Sequence, residues 1–231
     1  MKQAGAAAQP LKHIRFLRKH EIVYEELKLA VMTGQFEPGQ RLKLRDLAAA
    51  LGTSPMPVRD SLGRLVAEQA LQQTGSGQVS VPFITRQLFQ ELMEARALNE
   101  GEAAARAATR MPKSELPRLE RLAQDLNAAT HTGDILHYLK LNQSMKFGIY
   151  AQCGSGVLLG LIETLWLRAG PFLRYLARDL EGLIAINYHD EALSAIASGN
   201  GEASRSAIAR DILAGMDFLL AHARFYDDDE A

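Results

Sequence analysis

The sequence predicts a mainly α protein: a small N-terminal head of helices carrying a β-hairpin, followed by an all-α helical bundle. Three observations predict this. Between Gln40 and Val81, two short helical patterns flank a glycine and are followed by a hairpin signal. Beyond Pro82, apolar residues recur at helical spacing almost to the end, with no further strand pattern and no Gly-rich phosphate loop. Charge also divides at this boundary. Residues 1–80 hold 11 Lys and Arg against 7 Asp and Glu, whereas residues 81–231 hold 15 against 20, although the whole chain carries only −1. A basic head on an acidic body suits one face for a polyanion and one that stays off it.

In chain order, residues 1–20 read as a flexible basic N-terminal arm. Residues 1–10 are small and polar, and LKHIRFLRKH over residues 11–20 carries four Lys or Arg and no acid. That second half is either a solvated extension of the first helix or an arm contacting phosphates. From Glu21 to Thr33 the positions Ile22, Val23, Leu27, Ala30 and Val31 describe an amphipathic helix that Gly34 ends. Leu42, Leu47, Ala48 and Leu51 give a second helix, broken at Gly52. Thr53 or Ser54 caps a third, over about 55–68, with Pro55 or Pro57 tolerated in its first turn and Val58, Leu62 and Leu65 facing inward. Leu71 to Thr74, the turn Gly75-Ser76-Gly77, and Gln78 to Val81 then form a hairpin. Residues 21–82 are therefore a winged helix-turn-helix, a DNA-binding arrangement.

These residues also carry a resemblance. Phe36-Glu37-Pro38-Gly39-Gln40-Arg41-Leu42, Asp46-Leu47-Ala48, and Pro57-Val58-Arg59 with Leu62 and Arg64-Leu65 resemble the GntR family of bacterial transcription regulators. The departures are Lys43-Leu44 where the family often has Asn-Glu, Pro55 where it often has Arg, and Gln69 where it often has Gly. The resemblance implies that Arg45, Ser54, Met56, Arg59 and Gly77 face DNA. A guanidinium can pair bidentately with guanine in the major groove, and Ser54 with the first amides of the third helix can hold a phosphate. Gly77 lets the wing approach the minor groove. The missing basic residue at position 55 implies an operator that differs from the common one.

Residues 83–225 read as a bundle with its own core, with helices at about 85–109, 113–130, 133–153, 155–168, 171–182, 183–198 and 202–224. The tail over 226–231 is acidic and expected to be disordered. Polar residues interrupt apolar faces at Arg96, Asn142, Lys146, His189 and Asp211. Buried polar groups need partners, so these predict a shared polar pocket. Glu94-Ala95-Arg96 with Glu100, and His189 with Ala195-Ile196, resemble the FadR-type (FCD) effector-binding domain. Most of that class holds a divalent metal with an Asp, a His four residues on, and two further His. The matching positions are Asn142, Lys146, His189 and Asp211, and only His189 keeps its type. An amide oxygen is a weak ligand and an ammonium offers no lone pair, so no metal or other cofactor is expected. Instead, Lys146 stands in for the metal's charge, neutralised by Asp211, and with Arg96 and His189 meets a small anionic carboxylate effector. A structural polar cluster, or a Lys146 that reaches solvent, are the plainer readings.

The remaining features bound the function. One cysteine, Cys153, fits a reducing cytoplasm, and on an apolar stripe it reads as core. No uninterrupted run of 18 apolar residues and no signal peptide is seen, so no membrane partner is expected. No Ser-His-Asp order, His-Glu-x-x-His run or paired carboxylates point to an enzyme. The whole reads as a homodimeric, cytoplasmic transcription regulator, expected to repress, on a double-stranded operator with an inverted repeat. Val157 to Leu167 with Trp166 is a candidate dimer face. A constitutive DNA-binding protein with a vestigial pocket, and an α-helical enzyme with a DNA-binding head, are the alternatives.

Overall fold

The computed structural model describes residues 11–179 and 187–229. Helix α1 (Leu11–Met32) runs back through the expected flexible arm. Residues 11–20 thus form its first turns rather than a separate arm, while residues 1–10 lie outside the described residues. With no Pro or Gly between Leu11 and His20, nothing in the sequence stops the helix there. It ends where Gly34 takes φ +66 and lets Gln35 N donate to Ala30 O at 3.0 Å. Helices α2 (Leu44–Ala50) and α3 (Pro55–Ala67) follow around Gly52, whose φ is +57. Ser54 is the N-cap of α3 by backbone, but its hydroxyl makes no capping bond.

The wing strands β2 (Gln72–Gln73) and β3 (Val79–Ser80) are joined by a third strand, β1 (Arg41–Leu42), which the sequence reading lacked. The order is β1-β3-β2, antiparallel throughout, with Arg41 and Gln72 both opposite Ser80. Two residues are too few to show alternation, so β1 has no sequence signature.

The end of α3 departs from common chemistry. Gln69 N donates to Val66 O at 3.0 Å and Ala70 N to Leu65 O at 2.9 Å, the paired bonds that close a helix through one left-handed residue. That residue is Gln69, at φ +59, where the family often has Gly. A side chain in this region costs roughly 1–2 kcal/mol, partly offset by the backbone entropy glycine would lose. Gln69→Gly is therefore expected to raise the urea midpoint, by about 0.5–1 kcal/mol in stability. An unchanged or lowered midpoint would show that the Gln69 side chain contributes contacts that repay the strain.

The bundle is built on α4 (Arg86–Ala108), capped by Thr85 Oγ1, which accepts from Leu88 N at 3.2 Å. Around it lie α5 (Leu116–Ala129), α6 (Ile135–Tyr150), α7 (Gly156–Leu173), α8 (Tyr188–Ala197) and α9 (Gly201–His222). Asp134, Ser155, Asn187 and Asn200 cap the last four through side-chain oxygens. Helix α9 packs along α4 because the facing residues are small. A Cβ on Gly201 would stand 3.0 Å from Ala105 O, and Ala104, Ala107 and Ala108 are buried.

Two expectations fail here for stated reasons. The break at Gly170-Pro171 does not occur; α7 runs through Pro171 to Leu173 and tightens into a 3-10 turn over Arg174–Arg178. Pro171 removes one donor near the helix end, and burial of Ala169 to Leu173 outweighs that single lost bond. Residues 180–186, covering the expected junction of the next two helices, lie outside the described residues. The tail is not free from its start. Tyr226–Asp229 forms a 3-10 turn in which Tyr226 N donates to Ile84 O and Asp227 Oδ1 accepts from Arg86 N, both at 3.0 Å. Phe225 beside it is fully buried and stacks on Phe172 at 5.5 Å between centroids.

Helix α7 is long and apolar enough to cross a membrane by composition. Ile162, Trp166 and Phe172 are instead buried within the bundle, which marks it as a core helix. Head and bundle do not keep separate cores. The buried residues form one contiguous cluster, from Val23 and Leu65 in the head to Phe225, and α1 packs on α7 at the seam. The seam is tight at Gly170, where a Cβ would lie 2.6 Å from Met32 O.

Candidate functional site

In the head, α1 braces α3. Tyr24 Oη donates to both carboxylate oxygens of Glu68 at 2.8 Å, and Arg64 lies over the Tyr24 ring while pairing with Glu21 at 3.0 Å. Arg64 is thereby engaged with α1. A groove of about 690 Å³ opens between α3 and the wing, lined by Lys43, Arg59, Gly63, Gln73, Ser76, Gly77 and Gln78 among others. Of the predicted DNA-facing residues, Arg59 and Gly77 meet in this groove. Arg45, Ser54 and Met56 lie on exposed surface outside its lining. Arg59 makes no ion pair among the described residues, and Gly77 holds φ +82 at the wing tip.

Pro55 and Pro57 occupy two of the first three positions of α3, so that helix start offers far fewer amides to a phosphate than an ordinary one. Lys43, Gln73 and Gln78 were missed by the sequence reading. The first caps α2 by position, and the others alternate on the wing, so only the docked wing reveals them.

In the bundle, the five polar residues converge on one cavity of about 40 Å³, walled by Met93, Tyr138, Leu173, Leu176 and Ile212. Four helices supply them: Arg96 from α4, Asn142 and Lys146 from α6, His189 from α8 and Asp211 from α9. A cavity of this size holds roughly two or three waters. Lys146 Nζ lies 2.5 Å from Asp211 Oδ2. His189 Nε2 lies 3.2 Å from Asn142 Oδ1 and 3.7 Å from the same Asp211 oxygen. Burial alone would push the Asp211 carboxyl up, but the Lys146 ammonium and its hydrogen bond hold it below the usual carboxylate range. Burial pushes His189 down, so its ring is neutral at pH 7.

Arg96 borders the cavity but is already partnered. Its Nε donates to Glu100 Oε1 at 2.7 Å, its guanidinium lies 4.3 Å over the Trp166 ring, and Tyr150 Oη donates to Glu100 Oε2 at 2.7 Å. Glu100 was noted in the sequence only for the resemblance, yet the i, i+4 spacing on one helix already permitted the pair.

The metal that most of the FCD class holds does not fit these residues. They offer one imidazole and one carboxylate, fewer than the three or four ligands a tight site needs, and Lys146 sets an ammonium against the carboxylate. Among the described residues no group of three or more His, Cys, Asp or Glu gathers to hold one elsewhere. Of the candidate dimer face on α7, Val157 and Leu161 are exposed, whereas Trp166 is fully buried and cannot belong to it.

Comparison with known proteins accounts for both parts of the chain. Residues 19–79 match the model of the gntR family of bacterial regulatory proteins, and residues 91–214 match the FCD domain. The HTH-type transcriptional regulator McbR of Escherichia coli (strain K12) is 32% identical over 166 residues, covering 72% of this chain and 74% of that protein. The solved structure of E. coli McbR/YncC superposes with a TM-score of 0.80 at 29% identity, over 87% of this chain and 96% of that one. A GntR regulator structure from Rhodococcus sp. RHA1 shares the fold, with a TM-score of 0.70 at 21% identity over 90% of this chain and 100% of that one.

Proposed function

This chain belongs to the GntR family of bacterial transcription regulators, its bundle being an FCD domain, and from that premise we propose that a small carboxylate metabolite held at Lys146 weakens its grip on an operator. It is a DNA-binding regulator rather than an enzyme. A homodimer, acting in the cytoplasm, presents two α3 helices to an inverted repeat and represses until the carboxylate arrives. Arg59 reads base edges from the groove while Gly77 brings the wing backbone close to the duplex.

The single observation that carries the effector reading is Lys146, buried in the cavity at the position where the class keeps a metal ligand. An ammonium has three donors, so it can keep Asp211 and accept a carboxylate as well. Arg96 stays with Glu100, and Asn142 and His189 orient the second oxygen. The charges of Lys146, Asp211, Arg96 and Glu100 sum to zero, so an incoming carboxylate favours a proton on His189. Binding therefore strengthens as pH falls.

The test begins by selecting operator DNA from a random pool and measuring binding by fluorescence anisotropy. Arg59→Ala is expected to cost about 1–3 kcal/mol, roughly five- to 150-fold, on the selected site. Acetate and pyruvate are then titrated at pH 6 and pH 8. Operator release that is stronger at pH 6 and lost in Lys146→Met supports the reading. No effect of any carboxylate would favour the second reading, a constitutive regulator, for which the closed 2.5 Å Lys146–Asp211 pair already speaks.

A further inference from the structure

The 3-10 turn that follows α7 has two faces. In such a turn residues three apart eclipse. Leu173 and Leu176 accordingly share the side that walls the cavity. Arg174, between them, turns the other way and reaches the head. Its Nη1 donates to Gly34 O at 3.3 Å, and its Nη2 lies 2.8 Å from Glu37 Oε1. Gly34 is where α1 ends, and a Cβ there would stand 3.3 Å from both Arg174 Cβ and Gly170 O, so the turn and the head are in tight contact. A second ion pair across the seam, Lys28 with Glu163 at 2.8 Å, has neither partner in the cavity wall.

From this we infer that Arg174 is the positioning residue through which the cavity sets the DNA-binding head. A molecule larger than roughly two or three waters seats only by pressing back a wall of the cavity, and Leu173 and Leu176 are the walls that the turn carries. Displacing either one rotates the turn and withdraws the guanidinium from Gly34 and Glu37. That loosens the end of α1, which braces α3. The inference rests on the pocket being the regulatory site, and commits to the residue that transmits its state.

A double-mutant cycle on the full chain tests it without any effector. Operator affinity is measured for the wild type, Asp211→Asn, Arg174→Gln and the double variant, with thermal midpoints as folding controls. Asp211→Asn is expected to change the dissociation constant about fivefold or more when Arg174 is present. In the Arg174→Gln background its effect should fall within about twofold. Equal shifts in both backgrounds, or no shift in either, would overturn the inference. Should Asp211→Asn not fold, Asn142→Ser at the other end of the polar chain replaces it. Pyruvate raising the thermal midpoint of the wild type but not of Lys146→Met, beside an additive cycle, would leave the pocket reading standing and remove Arg174. A coupled cycle without carboxylate binding would support Arg174 and remove the carboxylate.

Discussion

Replacing Glu100 with alanine is expected to destabilise the protein by about 3–5 kcal/mol, the cost of leaving a buried ion without its counter-ion. Glu100 is fully buried and Arg96 is 2% exposed, so bulk water does not reach the pair. The same change strands Tyr150 Oη, which donates to Glu100 Oε2 at 2.7 Å. The measurement is urea unfolding followed by helical circular dichroism. A second variant separates the charge from the packing. Glu100→Leu combined with Arg96→Met removes both ions and should recover a large part of the loss, because apolar residues of similar volume often replace a buried pair at little cost. A Glu100→Ala loss below about 1 kcal/mol, the worth of an ordinary exposed pair, would mean that Arg96 has another route to solvation.

The second large effect is expected at Gly170. A Cβ there would lie 2.6 Å from Met32 O, 2.7 Å from Met32 Cα and 2.8 Å from its carbonyl carbon. These are backbone atoms at the end of α1 and cannot rotate away. Gly170→Ala must therefore push α1 off α7, at about 1–3 kcal/mol for an overpacked contact. Because the strain falls on the seam, amide hydrogen exchange should rise most around Met32–Gln35 and the 3-10 turn after α7. Exchange unchanged there, with the midpoint retained, would show that the seam can open without loss.

The head was readable because its signals are local. Gly34 and Gly52 stop helices, Val58, Leu62 and Leu65 mark the inner face of α3, and Gly77 turns the wing. The pocket was half readable. Asn142 and Lys146 visibly interrupt an apolar face of α6, and all five predicted residues do line one cavity. Which of them pair could not be read, since the Lys146–Asp211 contact depends on how α6 and α9 dock. Arg96 lines the cavity as its place on an apolar face of α4 predicts, but that face does not reveal its partner Glu100, four residues along the same helix. Gly170-Pro171 was misread as a break because both residues usually end helices. Here the glycine is required by the Met32 backbone that crosses it, and burial of the last turn outweighs what the proline removes.

The seam at Gly170 bears on modularity. In a chain of beads, a DNA-reading module could be exchanged for another by cutting at the linker near Pro82. Here the head's first helix closes against the body backbone to backbone, with Arg174 clasping its end. A foreign head would need a helix that ends where Met32 ends, a glycine where Gly34 stands and an acid where Glu37 stands. The two parts are keyed to each other, and a chimaera that ignores the key would join two domains without joining their behaviour.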